Sequence, residues 1–293
     1  MITYCSSMKA AFLSFLFIFT FLTGFIQTIR QMVVYDALSL KPIPYVTVKV
    51  MHSANGTYAD ETGKVEVKAS GIDSLLITCV GYQSKIVNTQ RDTIHLEPIV
   101  VHLREVKVTP IKMKEQLVGL YKSKAGTKYF FGGSLNFELV LKISIPEKYP
   151  SYRIKGVKLD ARNTKAKSLG RLHIYSQNKD GFPDKELLTE DIIINQTIRT
   201  NYEIDLSRFN LILNDRVLFV GIEAIQANVS YKPNSGDCIG FGMTYDKNEP
   251  FTYSRTLRDP EYLWRLNFSQ SLSKHPLNKT GNPGNLMVSL ILD

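Results

Sequence analysis

Cysteine, histidine and tryptophan are all scarce in this 293-residue chain, with three, five and one respectively. The cysteines are scattered over three different segments. Cys79 falls inside an apolar run, where small apolar cysteines are commonly buried. Cys238 falls at an expected strand start in a different core, so a Cys79–Cys238 bridge is not expected. Cys5 precedes the N-terminal apolar run and no cysteine directly follows that run, which argues against lipid attachment at a processed cysteine. His173 and His275 have no acidic neighbours at metal-ligand spacing. His102-Leu103-Arg104-Glu105 has a zinc-ligand spacing but lacks a third ligand and a positioned base. The chain contains no Gly-x-Ser-x-Gly, no phosphate-binding loop and no dinucleotide glycine pattern after a strand. No catalytic residue, metal ligand or cofactor is therefore expected.

Hydrophobic residues make up 44% of the chain, ample for packed cores. The formal charge is +9 and the isoelectric point about 9.3. Lysines are spread singly along alternating segments such as Lys64–Lys68, and the densest cluster is 162–167. That spread fits solvated strand faces better than a nucleic-acid surface, and no nucleic acid is expected as a partner. Near the N-terminus, Lys9 precedes an apolar run from Ala10 to Ile26, and polar residues resume at Gln27. One basic residue before such a run is the pattern of a secretory signal helix over 1–27. The run is also nearly long enough to remain as a membrane anchor. Either way the rest of the chain is expected to be exported, to the periplasm or in association with an outer membrane.

Short strands follow one another from residue 28 to 108. Val46, Val48 and Val50 alternate with Tyr45, Thr47 and Lys49. Ser53-Ala54-Asn55-Gly56 and Asp60-Glu61-Thr62-Gly63 are turn sequences, and Val65 and Val67 are expected to face inward after the second. Ser74 to Tyr82 has no alternation and reads as a strand buried on both faces, ending in a Gly81-Tyr82 turn. Seven strands at regular spacing predict a small antiparallel β-sandwich.

The order of these motifs resembles a known family. Val33–Asp36, Pro42–Val48, Gly56-Thr57 with Asp60–Gly63, Val80-Gly81-Tyr82, Ile94–Leu96 and Leu103–Val108 are similar to the carboxypeptidase-regulatory-like domain. That domain is often found at the N-terminus of TonB-dependent receptors and in exported proteins of Gram-negative bacteria. The resemblance covers about 80 residues, and Val65 departs from the aromatic usual after the turn glycine. It implies a transthyretin-like sandwich and an accessory, non-catalytic role, with Pro42, Asp60, Gly63, Gly81 and Tyr82 serving structure.

Residues 109–130 form a linker, with an amphipathic helix predicted over Ile111–Lys124. Residues 131–293 carry about nine further strands and no convincing helical period beyond a turn at Asp184–Glu190. They predict a larger, jelly-roll-like sandwich. Leu135–Ile145 alternates throughout, with Asn136, Glu138, Lys142 and Ser144 on the polar side, as for a strand with one buried face. Asn178–Asp184 reads as a hairpin turn rather than a calcium loop, since no bidentate acid follows in register. Gly240 and Gly242 inside a strand suggest close packing. Tyr262, Trp264, Leu266 and Phe268 share an apolar face, whereas Tyr253 and Arg255 are expected to be exposed.

The function expected from these features is that of an exported, non-enzymatic binding or adaptor protein of the cell envelope. Its partner would be an envelope protein or a glycan, with membrane association through the N-terminal segment. The alternative is a carbohydrate-binding protein using the second sandwich through Tyr253, Trp264 and Arg255, and a third reading is an enzyme of unfamiliar type. An intact receptor is excluded, because the many strands of an outer-membrane barrel are absent.

Overall fold

A computed structural model describes residues 28–69, 73–99, 114–122, 128–131, 136–162, 169–195, 198, 201–225, 239–247, 249, 251–266 and 282–293. The expected signal segment over 1–27, Val106–Val108, His102, Glu105, Phe268, His275 and Cys238 lie outside the described residues. The protein is all-β, with one short 3-10 turn at Ser207–Phe209 and no α-helix among the described residues.

The first unit has seven strands: β1 (Thr28–Asp36), β2 (Thr47–Val50), β3 (Gly56–Tyr58), β4 (Lys64–Ala69), β5 (Ser74–Thr78), β6 (Lys85–Asn88) and β7 (Thr93–Leu96). They form two sheets, ordered β4-β1-β7 and β3-β2-β5-β6. Met32, Val34, Val65, Val67, Ile94 and Leu96 from the first sheet share one core with Val48, Val50, Leu75, Ile77 and Val87 from the second. The expected inward faces of β2 and β4 are in place. Two expectations need correction. The sheets are not wholly antiparallel, because β7 pairs with β1 in parallel. Nor is the strand at Ser74 buried on both faces: Leu75 and Ile77 are enclosed while Ser74 is exposed and Leu76 half-buried, because only one face of its sheet meets the core.

Asp60, Gly63 and Tyr82 hold turns of this unit. Asp60 Oδ1 accepts hydrogen bonds from the Thr62 N–H, the Thr62 hydroxyl and the Lys64 N–H. Gly63 closes that turn at φ +75°, and a β-carbon there would lie 2.9 Å from Pro42 Cβ. The Tyr82 hydroxyl donates to Asp36 Oδ2 at 2.9 Å, while Asp36 Oδ1 takes the N–H groups of Leu38 and Ser39.

The second unit contains β8 (Gln116–Gly119), β9 (Lys128–Phe131), β10 (Phe137–Ser144), β11 (Tyr152–Leu159), β12 (Ala161–Arg162), β13 (Leu169–Gln177), β14 (Pro183–Glu186) and β15 (Ile193–Ile194). It continues with β16 (Tyr202–Asp205), β17 (Leu211–Leu213), β18 (Val217–Ile225), β19 (Gly240–Thr244), β20 (Thr252–Thr256), β21 (Arg265–Leu266), β22 (Asn285–Leu286) and β23 (Val288–Leu292). A large sheet runs β14-β13-β18-β10-β20-β21, with β15 also on β13. A second runs β16-β11-β23-β8, with β17 on β11, and a third joins β12, β19, β22 and β9. Leu139, Leu141, Leu172, Ile174, Val220 and Ile222 of the large sheet share one core with Val157, Leu290 and Leu292 of the second and Phe241 and Met243 of the third.

Three local readings change here. Gln116–Gly119, expected in a linker helix, is a strand on β23, with Val118 packed on the core. Asp184–Glu186, expected in a helical turn over Asp184–Glu190, lies in β14, which pairs with β13. The strand β10 is buried on both faces, with Glu138 2% exposed and Val140 fully enclosed, because further chain covers its outer side. Two readings hold. Asn178 Oδ1 accepts from the N–H groups of Asp180 and Phe182 in a hairpin turn. At Gly242 a β-carbon would lie 2.5 Å from Asp160 Oδ2, so the strand glycine does serve close packing.

The two units are docked rather than tethered. Val80, just past β5, packs into the core of the second unit. Tyr58 joins Leu169, Ile225 and Leu257 in a small apolar cluster across the seam. Gly81 sits at φ +83°, and a β-carbon there would approach the Thr189 carbonyl oxygen to 2.2 Å. Gly81→Ala therefore strains the backbone and wedges the seam. It should cost at least about 2 kcal/mol, seen as a lower denaturant midpoint with the strand signature in circular dichroism retained below the transition.

Candidate functional site at the seam

The outer face of the large sheet follows from alternation. On β13, Leu172 and Ile174 point into the core, so Arg171, His173 and Tyr175 point out. On β18, Leu218, Val220 and Ile222 point in, so Phe219, Gly221 and Glu223 point out. Strand register then aligns four charged residues. Arg171 lies opposite Glu223, Glu223 opposite Glu138, and Glu138 opposite Arg255. The row crosses β13, β18, β10 and β20 with charges in the order plus, minus, minus, plus.

The first unit covers one end of this row. Arg171 is 1% exposed. Its Nη1 donates to Glu223 Oε2 and to Thr47 Oγ1, both at 3.0 Å, and its Nη2 donates to Asp191 Oδ2 at 3.0 Å and to the Tyr45 carbonyl. The Tyr58 hydroxyl donates to Glu223 Oε1 at 2.9 Å. Thr47 is consequently buried although its neighbours Val46 and Val48 fill the opposite core; the seam encloses the second face of β2.

His173 stands one step along β13, with Gly221 opposite it. Its Nδ1 lies 2.7 Å from Glu186 Oε2 and its Nε2 lies 3.3 Å from Glu223 Oε2. Burial opposes charging this imidazole. The Glu138 carboxylate and the hydrogen bonds to Glu186 and Glu223 outweigh that, and its pKa rises to about 10. The ring is thus an imidazolium at neutral pH. For Glu223, burial would raise the pKa, but the His173 hydrogen bond and the Arg171 charge outweigh it and hold the carboxyl well below its usual range. Glu186 Oε1 accepts three backbone N–H bonds, from Ile174, Leu187 and Leu188.

At the other end, Arg255 Nε donates to Glu138 Oε2 at 2.6 Å and Nη2 donates to the Tyr175 hydroxyl at 3.0 Å. The Tyr175 hydroxyl in turn donates to Glu138 Oε1 at 2.7 Å. The guanidinium lies over the rings of Trp264, Tyr262 and Tyr175, at 4.4, 4.7 and 5.6 Å from their centres.

Between the units and over this network lies a cleft of about 280 Å³. The first unit lines it with Thr47, Thr78, Cys79, Tyr82 and Ser84, and the second with Arg171, His173, Glu186, Glu223, Arg255 and Tyr262 among others. The Cys79 thiol is pushed up by burial and by Asp191, so it is a thiol and not a thiolate at neutral pH.

Of the residues expected to bind ligand, the structure keeps one in the cleft. Arg255 lines it, though its side chain is only 22% exposed and is held by Glu138. Tyr253, expected at the surface, is 7% exposed and packs with Val140, Tyr175 and Phe219, since its strand pairs with β10 and its ring falls on a covered face. Trp264 is half-buried against that same cluster and over Arg255. Sequence reasoning gave Arg171, His173, Glu138 and Glu223 no site role, and the acidic neighbours it found missing around His173 are supplied by Glu186 and Glu223. The available signal was the alternation Leu169-Arg171-His173-Tyr175 against Leu172-Ile174. The acids opposite could not be read from spacing, because they come from other strands.

No family model and no curated protein matches this chain. Among solved structures it is similar to a chain of infectious bursal disease virus Gt strain, at 11% identity and a TM-score of 0.27, covering 90% of this chain and 58% of that one. A chain of the Gx strain gives 10% identity and a TM-score of 0.24, covering 91% and 59%. A chain of the VP2 subviral particle of the same virus gives 10% and 0.20, covering 91% and 60%. The protein spans less than two thirds of each of those chains, and likeness at this level carries no argument about its fold or function.

Removing one partner of a buried pair leaves the other charge uncompensated. Glu138→Ala should therefore cost about 3–5 kcal/mol, and the apolar double variant Glu138→Leu with Arg255→Met should recover much of it, both read from denaturant midpoints.

The pH dependence has a definite sign. The folded pKa of His173 lies above its ordinary 6.5, so its contribution is full below pH 6.5 and fades as pH rises through about 10. The folded pKa of Glu223 lies below its ordinary 4.5, so its contribution is present above that value and lost on acidification. Urea midpoints should fall from pH 6 to pH 10 in the wild type, and His173→Gln should start lower and vary less over that range.

Proposed function

We propose that the protein is an exported, non-enzymatic binding protein of the bacterial cell envelope whose ligand site is the cleft at the seam. The observation that carries this reading is the joint lining of the cleft by both units above a row of mutually paired charges. Pockets at domain junctions with a few convergent polar groups are common ligand sites. The charged groups are engaged with one another, and the Cys79 thiol is held in its un-ionised form. That arrangement suits holding a ligand better than attacking one.

The resemblance to the carboxypeptidase-regulatory-like domain supports an accessory role for the first unit, as a transthyretin-like sandwich. Pro42, Asp60, Gly63, Gly81 and Tyr82 serve turns and packing there, in keeping with such a module. The second unit is then a jelly-roll-like sandwich supplying most of the charged lining. The apolar N-terminal segment supports export and placement at the periplasmic or outer-membrane side.

The test compares the tagged wild type with Ser84→Trp, an exposed rim position where a large ring fills the cleft without touching a core. Both are crosslinked in native envelopes, purified and examined by native mass spectrometry. The wild type should carry a bound molecule or partner that Ser84→Trp loses while keeping its thermal stability. Identical recovery from both would place binding elsewhere on the surface and defeat the reading.

A further inference from the structure

We infer that the seam cleft takes an uncharged, hydroxyl-rich ligand of about one sugar ring; this rests on the binding reading above and assigns the chemistry of its ligand. The argument begins with charge. The buried network sets three cations, Arg171, His173 and Arg255, against four carboxylates, Glu138, Glu186, Glu223 and Asp191. Arg171 is held by Glu223 and Asp191, Arg255 by Glu138, and His173 by Glu186 and Glu223. The additional carboxylate charge is met by the three backbone N–H groups on Glu186 Oε1. At the rim, Asp184 and Lys185 carry opposite charges.

An anion reaching the floor of the cleft would thus meet only guanidinium and imidazolium groups already engaged with carboxylates, and would have to break an existing pair in a site of low dielectric; the one cation without a carboxylate partner in the lining, Lys185, stands exposed at the rim. An organic cation would likewise meet carboxylates whose oxygens are already engaged by Arg171, His173, Arg255 or backbone N–H groups. Burying a charge without a partner costs far more than burying a hydrogen-bonded hydroxyl. Hydroxyls suit what remains. A hydroxyl donates to a spare carboxylate lone pair and accepts from a spare N–H, and the lining offers both kinds from rigid, mutually fixed groups. Thr47, Thr78 and Ser84 add hydroxyls from the first unit, while Tyr82, Tyr175 and Tyr262 add ring surface for the apolar C–H face of a sugar. The volume of about 280 Å³ sits just under the range of roughly 300–1,000 Å³ for drug-sized ligands, which fits a single ring.

The test is thermal unfolding of the full chain with D-glucose, D-galactose, D-mannose and N-acetylglucosamine, against glucuronate, glucosamine and inorganic phosphate. At least one neutral sugar should raise the midpoint saturably, on the order of 5 °C at a hundredfold excess over its Kd. The charged probes should give less, and Ser84→Trp should abolish the rise. Glu186→Gln should weaken the same sugar at least tenfold in titration calorimetry. A larger shift with phosphate, glucuronate or glucosamine, a shift retained in Ser84→Trp, or no shift with any neutral sugar overturns the inference. If the sugars fail but envelope-purified wild type still carries a molecule that Ser84→Trp lacks, the ligand class is wrong and the binding reading stands. If it carries none, both fall.

Discussion

Two glutamates, Glu223 and Glu138, lie side by side on neighbouring buried strands, and the arrangement of the seam follows from keeping them apart electrostatically. Like charges directly opposite one another destabilise a sheet, and burial removes the water that would screen them. The fold answers by flanking them with Arg171 on β13 and Arg255 on β20 and by placing the His173 imidazolium near both. Each cation then needs its own enclosure. Arg171 gains it from Thr47 and the Tyr45 carbonyl of the first unit, and Arg255 from the rings of Trp264 and Tyr262. Docking of the units and burial of the charges are one event.

This coupling separates the parts of the structure that reach for stability from those that confer specificity. Apolar contacts at the seam are few, with Val80 and the Tyr58 cluster the main ones. A buried ion pair contributes little net stability over an apolar substitute, yet is severe when half-made. The row therefore acts mainly against alternatives: a β13–β18 register shifted by one residue would set Arg171 opposite Ile222 or Ala224 and leave Glu223 without it. The cleft inherits its rigidity from that selectivity, since its polar lining is already fixed before any ligand arrives.

Much of the fold was legible in the sequence where one face of a strand meets a core and the other meets water. The inward valines of β2 and β4 and the turn at Asp60–Gly63 could be read locally, because their causes are local; the hairpin expected at Asn55-Gly56 forms, but its turn falls at 51–54 and Gly56 opens β3. The errors share a different origin. Thr47, Glu138 and Tyr253 are polar or amphipathic residues whose outward faces are covered by chain distant in sequence. Alternation gives the face of a strand but not what lies above it. The site is least legible for the same reason: Glu138, Arg171, Glu223 and Arg255 become neighbours only through strand register across four strands. Gln116–Gly119 was misread because its strand character comes from its partner β23 rather than from its own short, mixed sequence.

The position of β23 has a consequence for how the protein comes to be folded. Val288–Leu292 lies between β11 and β8 in its sheet and bonds to both, with Gly119 opposite Ser289. A growing chain can complete the first unit early, from contacts close in sequence. The second unit stays open along its middle until the segment through Leu292 has been made. Until then β8 and β11 present unpaired strand edges and Val80 has no finished core to enter. Such intermediates are prone to association, and that exposure ends only when β23 fills the gap between β11 and β8.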